Sequence, residues 1–233
     1  MSSQFSLADS LSLSDLQVFL SRGARVDDGA VRLVADGTVL AVYVAVFYPV
    51  GLLDAGPTVL GLRTFALHHS AVFDCVVPLR AMIERLVRLQ NDSLDATAAV
   101  TVALPPTVLT ATWAAITPPR SGWLPRESAD ASVLSLAARL GISEVASLVP
   151  DGLGEQLVHR VRSTVWGKAI DGLDEVPAGA AFAAVALGFL PESKPSQRMT
   201  PHEVRIFGVG SWLRLSTEHG HVLVKRRSAS LLG

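Results

Sequence analysis

Cysteine is almost missing from this 233-residue chain, which carries Cys75 and no other. A single thiol closes no intramolecular disulfide and builds no Cys-rich zinc motif, so the expected setting is reducing and cytoplasmic. A surplus of charge is missing too. Twenty Lys and Arg against 21 Asp and Glu leave a formal net charge of -1, so the surface as a whole is not built to attract phosphates, although a local basic patch is compatible with it. Lysine is scarce beside arginine, a bias of a GC-rich genome, expected to be bacterial, that carries no functional weight. The opening residues, MSSQFSLADSLSLSDLQVFL, have no basic leader and place Asp9 and Asp15 where a signal peptide would keep an apolar core.

Long unbroken apolar runs are lacking as well. The mean hydropathy of +0.40 is high, yet residues 37–53 are rich in β-branched residues and broken by Pro49 and Gly51. Residues 96–119 are interrupted by Pro105 and Pro106. Residues 177–190 read as a helix that, at ~1.5 Å per residue, reaches about 21 Å, short of a hydrocarbon layer of roughly 30 Å. All three are expected to be core elements of a soluble protein without a membrane partner. Hydrophobic content of 49% gives ample material for that core.

What is present alternates by region. Ser12 with Asp15 suggests a capping box for a helix over 13–22, with Gly23 as its stop. Asp36-Gly37 between two β-rich runs is a strong hairpin signal, so 30–35 and 38–48 are expected to pair, with 57–67 completing a β-meander. Pro78 opens an amphipathic helix with Leu79, Met82, Ile83 and Leu86 on one face. A strand at 97–104 leads into a Pro- and Trp-rich connection. From Ser128 the pattern turns helical, through ADASVLSLAARLG, SEVASLVP, DGLGEQLVHRVRSTVWG with Asp151 as N-cap, and AGAAFAAVALGFL. Strands return at EVRIFGVG, SWLRLST and HVLVKRR. The fold class is α+β: an antiparallel N-terminal sheet with one or two packed helices, a helical middle-to-late segment and a C-terminal β-hairpin. Two lobes are expected, 1–118 and 119–233, joined closely enough to read also as one continuous domain.

Chemistry-bearing motifs are sparse. His219 and His221 form an H-x-H pair that could present two nitrogens to a metal, with His202, Glu203 or Glu218 as further ligands, but STEHGH also has the make-up of a hairpin loop. Cys75 follows His68 and His69, but nothing local depresses its pKa, and it reads as a small buried hydrophobe. His68 and His69, being adjacent, should point to opposite faces at a strand end. No G-x-G-x-x-G, Walker, G-x-S-x-G or H-E-x-x-H pattern occurs, so no catalytic residue and no cofactor is assigned. Residues 134–150 outline a helix-turn-helix about Gly141, with the hairpin at 212–227 as a wing, yet they offer no Arg, Lys, Asn or Gln for base edges.

Tryptophan beside arginine or proline has the composition of an interaction hot spot. Trp113, Arg120, Trp123 and Trp212, with Arg226 and Arg227 at the end of the last strand, are therefore the candidate partner-binding residues. The leading reading is a non-catalytic module that binds a protein partner or forms a homo-oligomer. A DNA-binding regulator is the alternative, and a metal-dependent enzyme centred on His219 and His221 the second.

Overall fold

The computed structural model describes residues 4–51, 54, 56–92, 95–149, 154–191 and 202–226. The chain is α+β, with mostly antiparallel strands, and it divides into two units: residues 1–45 with 62–117, and residues 46–61 with 118–233.

The first unit starts with β1 (Gln4–Leu7) and α1 (Ser10–Ala24). Its helix begins earlier than the capping-box reading implies, because Asp9 rather than Ser12 is the N-cap, its carboxylate accepting the Ser12 N–H at 2.6 Å. Gly23 lies inside the last turn instead of ending it. A Cβ there would sit 3.2 Å from Val44, so the glycine admits a close approach of the helix to the strand behind it.

That strand, β2 (Ala30–Phe47), corrects the hairpin expected at Asp36-Gly37, because the chain does not reverse there and the meander is not formed. Gly37 takes φ +64° within a continuous strand. Its effect is visible in burial: Val31, Leu33 and Ala35 are buried before it, Leu40, Val42, Val44 and Val46 after it. The buried face changes from odd to even positions, which in a structure of period two requires a local irregularity of the kind a left-handed glycine permits. β3 (Thr58–Pro78) runs beyond the expected 57–67 and pairs with β2. β1 is antiparallel to β3 at Leu7↔Leu67 and to β4 (Val100–Ala103) from Gln4↔Ala103 to Leu7↔Val100.

Pro78 closes β3, and α2 (Leu79–Asp92) follows it at once. Leu79, Met82 and Leu86 are fully buried with Leu13, Leu16, Phe19 and Leu20 of α1, as their 3.6-residue spacing requires. One charge enters this unit's interior. Arg32, 8% exposed, makes a two-pronged pair with Asp74 at 2.9 and 2.7 Å and donates to the Ala114 carbonyl at 2.8 Å. It thereby fixes the 3-10 turn Thr112–Ala115, which carries the buried Trp113.

In the second unit, β5 (Leu124–Asp130) is followed by α3 (Ala131–Leu148), capped by Asp130 onto the Ser132 N–H. This single helix of 18 residues overturns the helix-turn-helix: there is no turn at Gly141. The glycine is buried because Trp166 of α4 (Glu155–Gly167) occupies the space of a side chain, its Cζ3 2.3 Å from an ideal Cβ. Asp151, the expected cap of α4, lies outside the described residues. A short hairpin, β6 (Ala169–Ile170) and β7 (Leu173–Pro177), leads into α5 (Ala178–Ala186), whose Ala180, Ala181, Ala183 and Ala184 are fully buried. The three last strands lie as their alternation implies, β8 (Glu203–Val209), β9 (Trp212–Ser216) and β10 (His221–Lys225), in the sheet order β5-β8-β9-β10 with every pair antiparallel.

Candidate functional site

The outward face of the C-terminal sheet gathers the most functional side chains, and it is only partly open: Arg205 is exposed and Phe207, Arg214 and Lys225 are half-buried, while Trp212, Ser216 and Leu223 on the same face are buried. In β8 the odd positions, Arg205, Phe207 and Val209, turn away from the buried Val204 and Ile206. Register sets Phe207 opposite Arg214 and Val209 opposite Trp212, and then Arg214 opposite Leu223 and Trp212 opposite Lys225. The Arg214 guanidinium is held between two rings, 4.7 Å from the centroid of Phe207 and 4.8 Å from that of Trp123. Trp123 is fixed in turn by its indole N–H, which donates to the Pro119 carbonyl at 3.0 Å.

Such cation–π stacking stabilises a guanidinium without neutralising it. The Nε of Arg214 is buried with no hydrogen-bond partner, and burial, with Arg205 nearby, depresses the group's basicity. Arg205, Arg214 and Lys225 form no ion pair among the described residues; Lys225 lies 5.9 Å from the ring of Trp212. The acid on the same side of β8 is Glu203, at the far end of the strand.

A second surface is the outer side of α3. Leu134, Ala138 and Gly141 are buried, while Val133, Leu136 and Leu140, at i, i+3 and i+7, stand out into solvent. By length and composition α3 is also the one helix among the described residues that could cross a membrane, with 22% of it buried.

A third cluster ties the segment before β3 to α4. Asp54, its side chain 10% exposed, accepts from Gly56 N–H at 2.8 Å and Ser163 Oγ at 3.0 Å through one oxygen. Its other oxygen meets His159 Nε2 at 2.7 Å and Val50 N–H at 3.2 Å. Burial would raise this carboxyl, but the bonds from His159, Gly56, Val50 and Ser163 outweigh it and hold the pKa at about 2. Although Ser, His and Asp meet here, the serine donates to the carboxylate and not to the imidazole. The wiring is that of a loop clamp, in which nothing prepares the hydroxyl as a nucleophile.

The residues singled out from the sequence fall differently. Residues 217–220 make the β9–β10 turn, in which Thr217 donates its amide and hydroxyl to the Gly220 carbonyl at 3.0 and 2.9 Å. His219 is exposed in that turn. His221 opens β10, its Nδ1 3.1 Å from Ser216 Oγ, and burial followed by Arg214 and Arg205 lowers its pKa. Among the described residues no three His, Cys, Asp or Glu side chains, His202 included, gather as a metal-holding group. Trp113 and Trp212 are core residues at 3% and 6% exposure, and Trp113 belongs to the first unit. Arg120 is exposed, Arg226 pairs with Glu175 at 3.0 Å, and Arg227 lies outside the described residues.

Burial, with Asp74 beside it, pushes the Cys75 thiol up to about 11. His68 and His69 sit inside β3 rather than at a strand end, with ring centroids 4.3 Å apart in an edge-on contact, not on opposite faces. The sequence reading missed Arg214, Phe207 and Asp54. For the first two the signal was available in the alternation of EVRIFGV and WLRLS, which sets 205, 207 and 214 on the polar side.

Two family models match this chain. Residues 1–114 match a Domain of unknown function (DUF8010), and residues 118–229 match a Domain of unknown function (DUF8185). No curated protein matches. Similar solved structures include a putative DNA polymerase III beta subunit from Eubacterium rectale, at 8% identity and a TM-score of 0.48, over 98% of this chain and 66% of that one. The DNA polymerase sliding clamp from Caulobacter crescentus aligns at 12% identity and 0.47, over 99% and 67%. The DNA polymerase III subunit beta from Pseudomonas aeruginosa aligns at 13% and 0.47, over 98% and 66%. The chain thus spans about two thirds of the length of these structures, and at such values no function is transferred from them.

Proposed function

We propose that this chain is a non-catalytic binding module that associates with a second copy of itself through the outer face of α3. The observation that supports this reading is the stripe of Val133, Leu136 and Leu140, at 40%, 49% and 62% exposure, on a helix whose other face is already packed. Single exposed apolar residues are ordinary, but a contiguous strip along one helix marks an interaction surface. Because these side chains are already about half covered, burying the remainder contributes roughly 0.6–1.9 kcal/mol each. The proposal takes the chain as two domains, 1–118 and 119–233, in keeping with family matches that abut between residues 114 and 118.

Sedimentation velocity over a range of concentrations tests it, with wild type beside Leu136→Glu/Leu140→Glu. The expected result is a concentration-dependent dimer in wild type and, in the variant, a folded monomer whose Tm no longer depends on concentration. A wild type that stays monomeric at every concentration refutes self-association. Binding of wild type to neutral lipid vesicles, abolished by the same pair, refutes it in favour of a membrane role.

A further inference from the structure

We infer that the outer face of the β8–β9–β10 sheet is a docking site for an extended acidic segment of a protein partner, recognised by Arg205, Arg214 and Lys225. The inference stands apart from the α3 reading, since no residue is shared. Its first support is the line these cations make. Arg205 lies opposite Ser216, two residues from Arg214, and Lys225 lies two residues beyond Leu223, the partner of Arg214. The three therefore step diagonally across neighbouring strands, at about 7–8 Å per step. Alternate side chains of an extended peptide are spaced at about 6.6–6.8 Å on one side. A segment with acids at every second residue thus matches the line of cations.

The second support is pre-organisation without neutralisation. Arg214 is fixed by Phe207 and Trp123 on its two faces, so it loses little freedom on binding. Its Nε is buried and closed to a ligand, which leaves the two Nη nitrogens as the donors. A planar fork held in that way suits a carboxylate, which can take two parallel N–H bonds. A third support is charge: burial first, and then the neighbouring guanidinium of Arg205, lowers the basicity of Arg214, and burial followed by Arg214 and Arg205 lowers the pKa of His221, which faces Arg205 across Ser216. An incoming polyanion relieves that repulsion. Glu203, beyond Arg205 on the same side of β8, sets the limit of the site at that end.

The experiment is fluorescence anisotropy of a labelled peptide of alternating Glu and Ser, with a peptide of the same length in which Gln replaces Glu as control. Wild type is expected to bind the acidic peptide saturably, and its tryptophan emission to change with occupancy by an amount that Trp123→Phe removes. Arg214→Ala should weaken binding about tenfold or more, the scale of a lost hydrogen bond to a charged group. Arg214→Lys, which keeps the charge and loses the fork, should bind more weakly than wild type and more tightly than Arg214→Ala. Because Arg214 is partly buried, exposed Arg205→Ala serves as a second variant, also expected to weaken binding, with thermal unfolding confirming that both fold. Absence of saturable binding, equal affinity for the Gln peptide, or affinity unchanged by both variants would overturn the inference. So would a single-stranded oligonucleotide that displaces the peptide at lower concentration, since the face would then be a nucleic-acid site.

Discussion

Replacing Gly141 by alanine sets two effects of opposite sign against each other. In a helix interior alanine is favoured over glycine by about 1 kcal/mol, because it has less backbone freedom to lose. Taken alone, this makes Gly141→Ala stabilising. The structure reverses the sign: the new methyl would lie 2.3, 2.9 and 3.1 Å from Cζ3, Cη2 and Cε3 of Trp166, where carbon atoms settle at about 3.5–4.0 Å. Relief would require the ring to move. Trp166 is 3% exposed and stacked on Phe182 with centroids 4.5 Å apart. On the backbone side, the Trp166 carbonyl lies 3.1 Å from an ideal Cβ at Gly179, so α5 also crowds it.

Overpacking of this kind typically costs about 1–3 kcal/mol and more where neither partner yields. With Trp166 pinned on both sides the upper part of that range applies, about 2–3 kcal/mol, and subtracting the propensity gain of about 1 kcal/mol leaves a net loss of about 1–2 kcal/mol, or roughly 2–8 °C in Tm for a chain of this size. Urea denaturation followed by tryptophan emission measures it. The decisive arm is the same substitution in a Trp166→Leu background, where the wedge is gone and alanine should stabilise by up to about 1 kcal/mol. A Gly141→Ala protein as stable as wild type, or an effect of the same sign in both backgrounds, would refute the steric argument.

Two further outcomes follow from the titrating groups. Asp54 has a folded pKa of about 2 against an ordinary 3.8, so its charged form favours the native state. The contribution, about 2 kcal/mol, is present above pH 4 and lost as the pH falls towards 2. Asp54→Asn should lower stability at pH 7 and flatten that acid limb; a limb unchanged in the variant counts against the clamp. For Cys75, with its thiol pushed up to about 11, the reaction rate with a neutral alkylating agent should keep rising past pH 9 and level off only near 11. A plateau at pH 8–9 would contradict the burial assigned to it.

Local chemistry made part of the fold legible. α2 follows from Pro78 and apolar residues at 3.6-residue spacing, and β8, β9 and β10 follow from alternation, since each side chain's face is fixed by its own strand. Both glycine misreadings share a cause. Asp36-Gly37 has the composition of a two-residue turn, yet the positive φ of Gly37 serves a change of face within β2. Gly141 has the composition of a turn between helices, yet it makes room for a ring from α4. At Gly37 a side chain is disfavoured by the positive φ, with open space around it, and at Gly141 by a ring from another helix; composition alone tells neither from a turn.

The same limit explains how the candidate site was half seen. Trp123 and the basic end of β10 stood out by residue type, whereas Arg214 and Phe207 looked like ordinary polar-face positions until register brought them together. Once the strands are known to be antiparallel, a register that buries Ile206 with Leu215 and Leu213 with Val224 necessarily sets Phe207 against Arg214 on the opposite face. What no register supplies is Trp123. It precedes β5 and reaches the guanidinium because its indole is anchored to Pro119. The binding capacity of this face therefore rests on a loop as much as on the sheet, and a substitution that frees Trp123 should weaken peptide binding without removing a single charge.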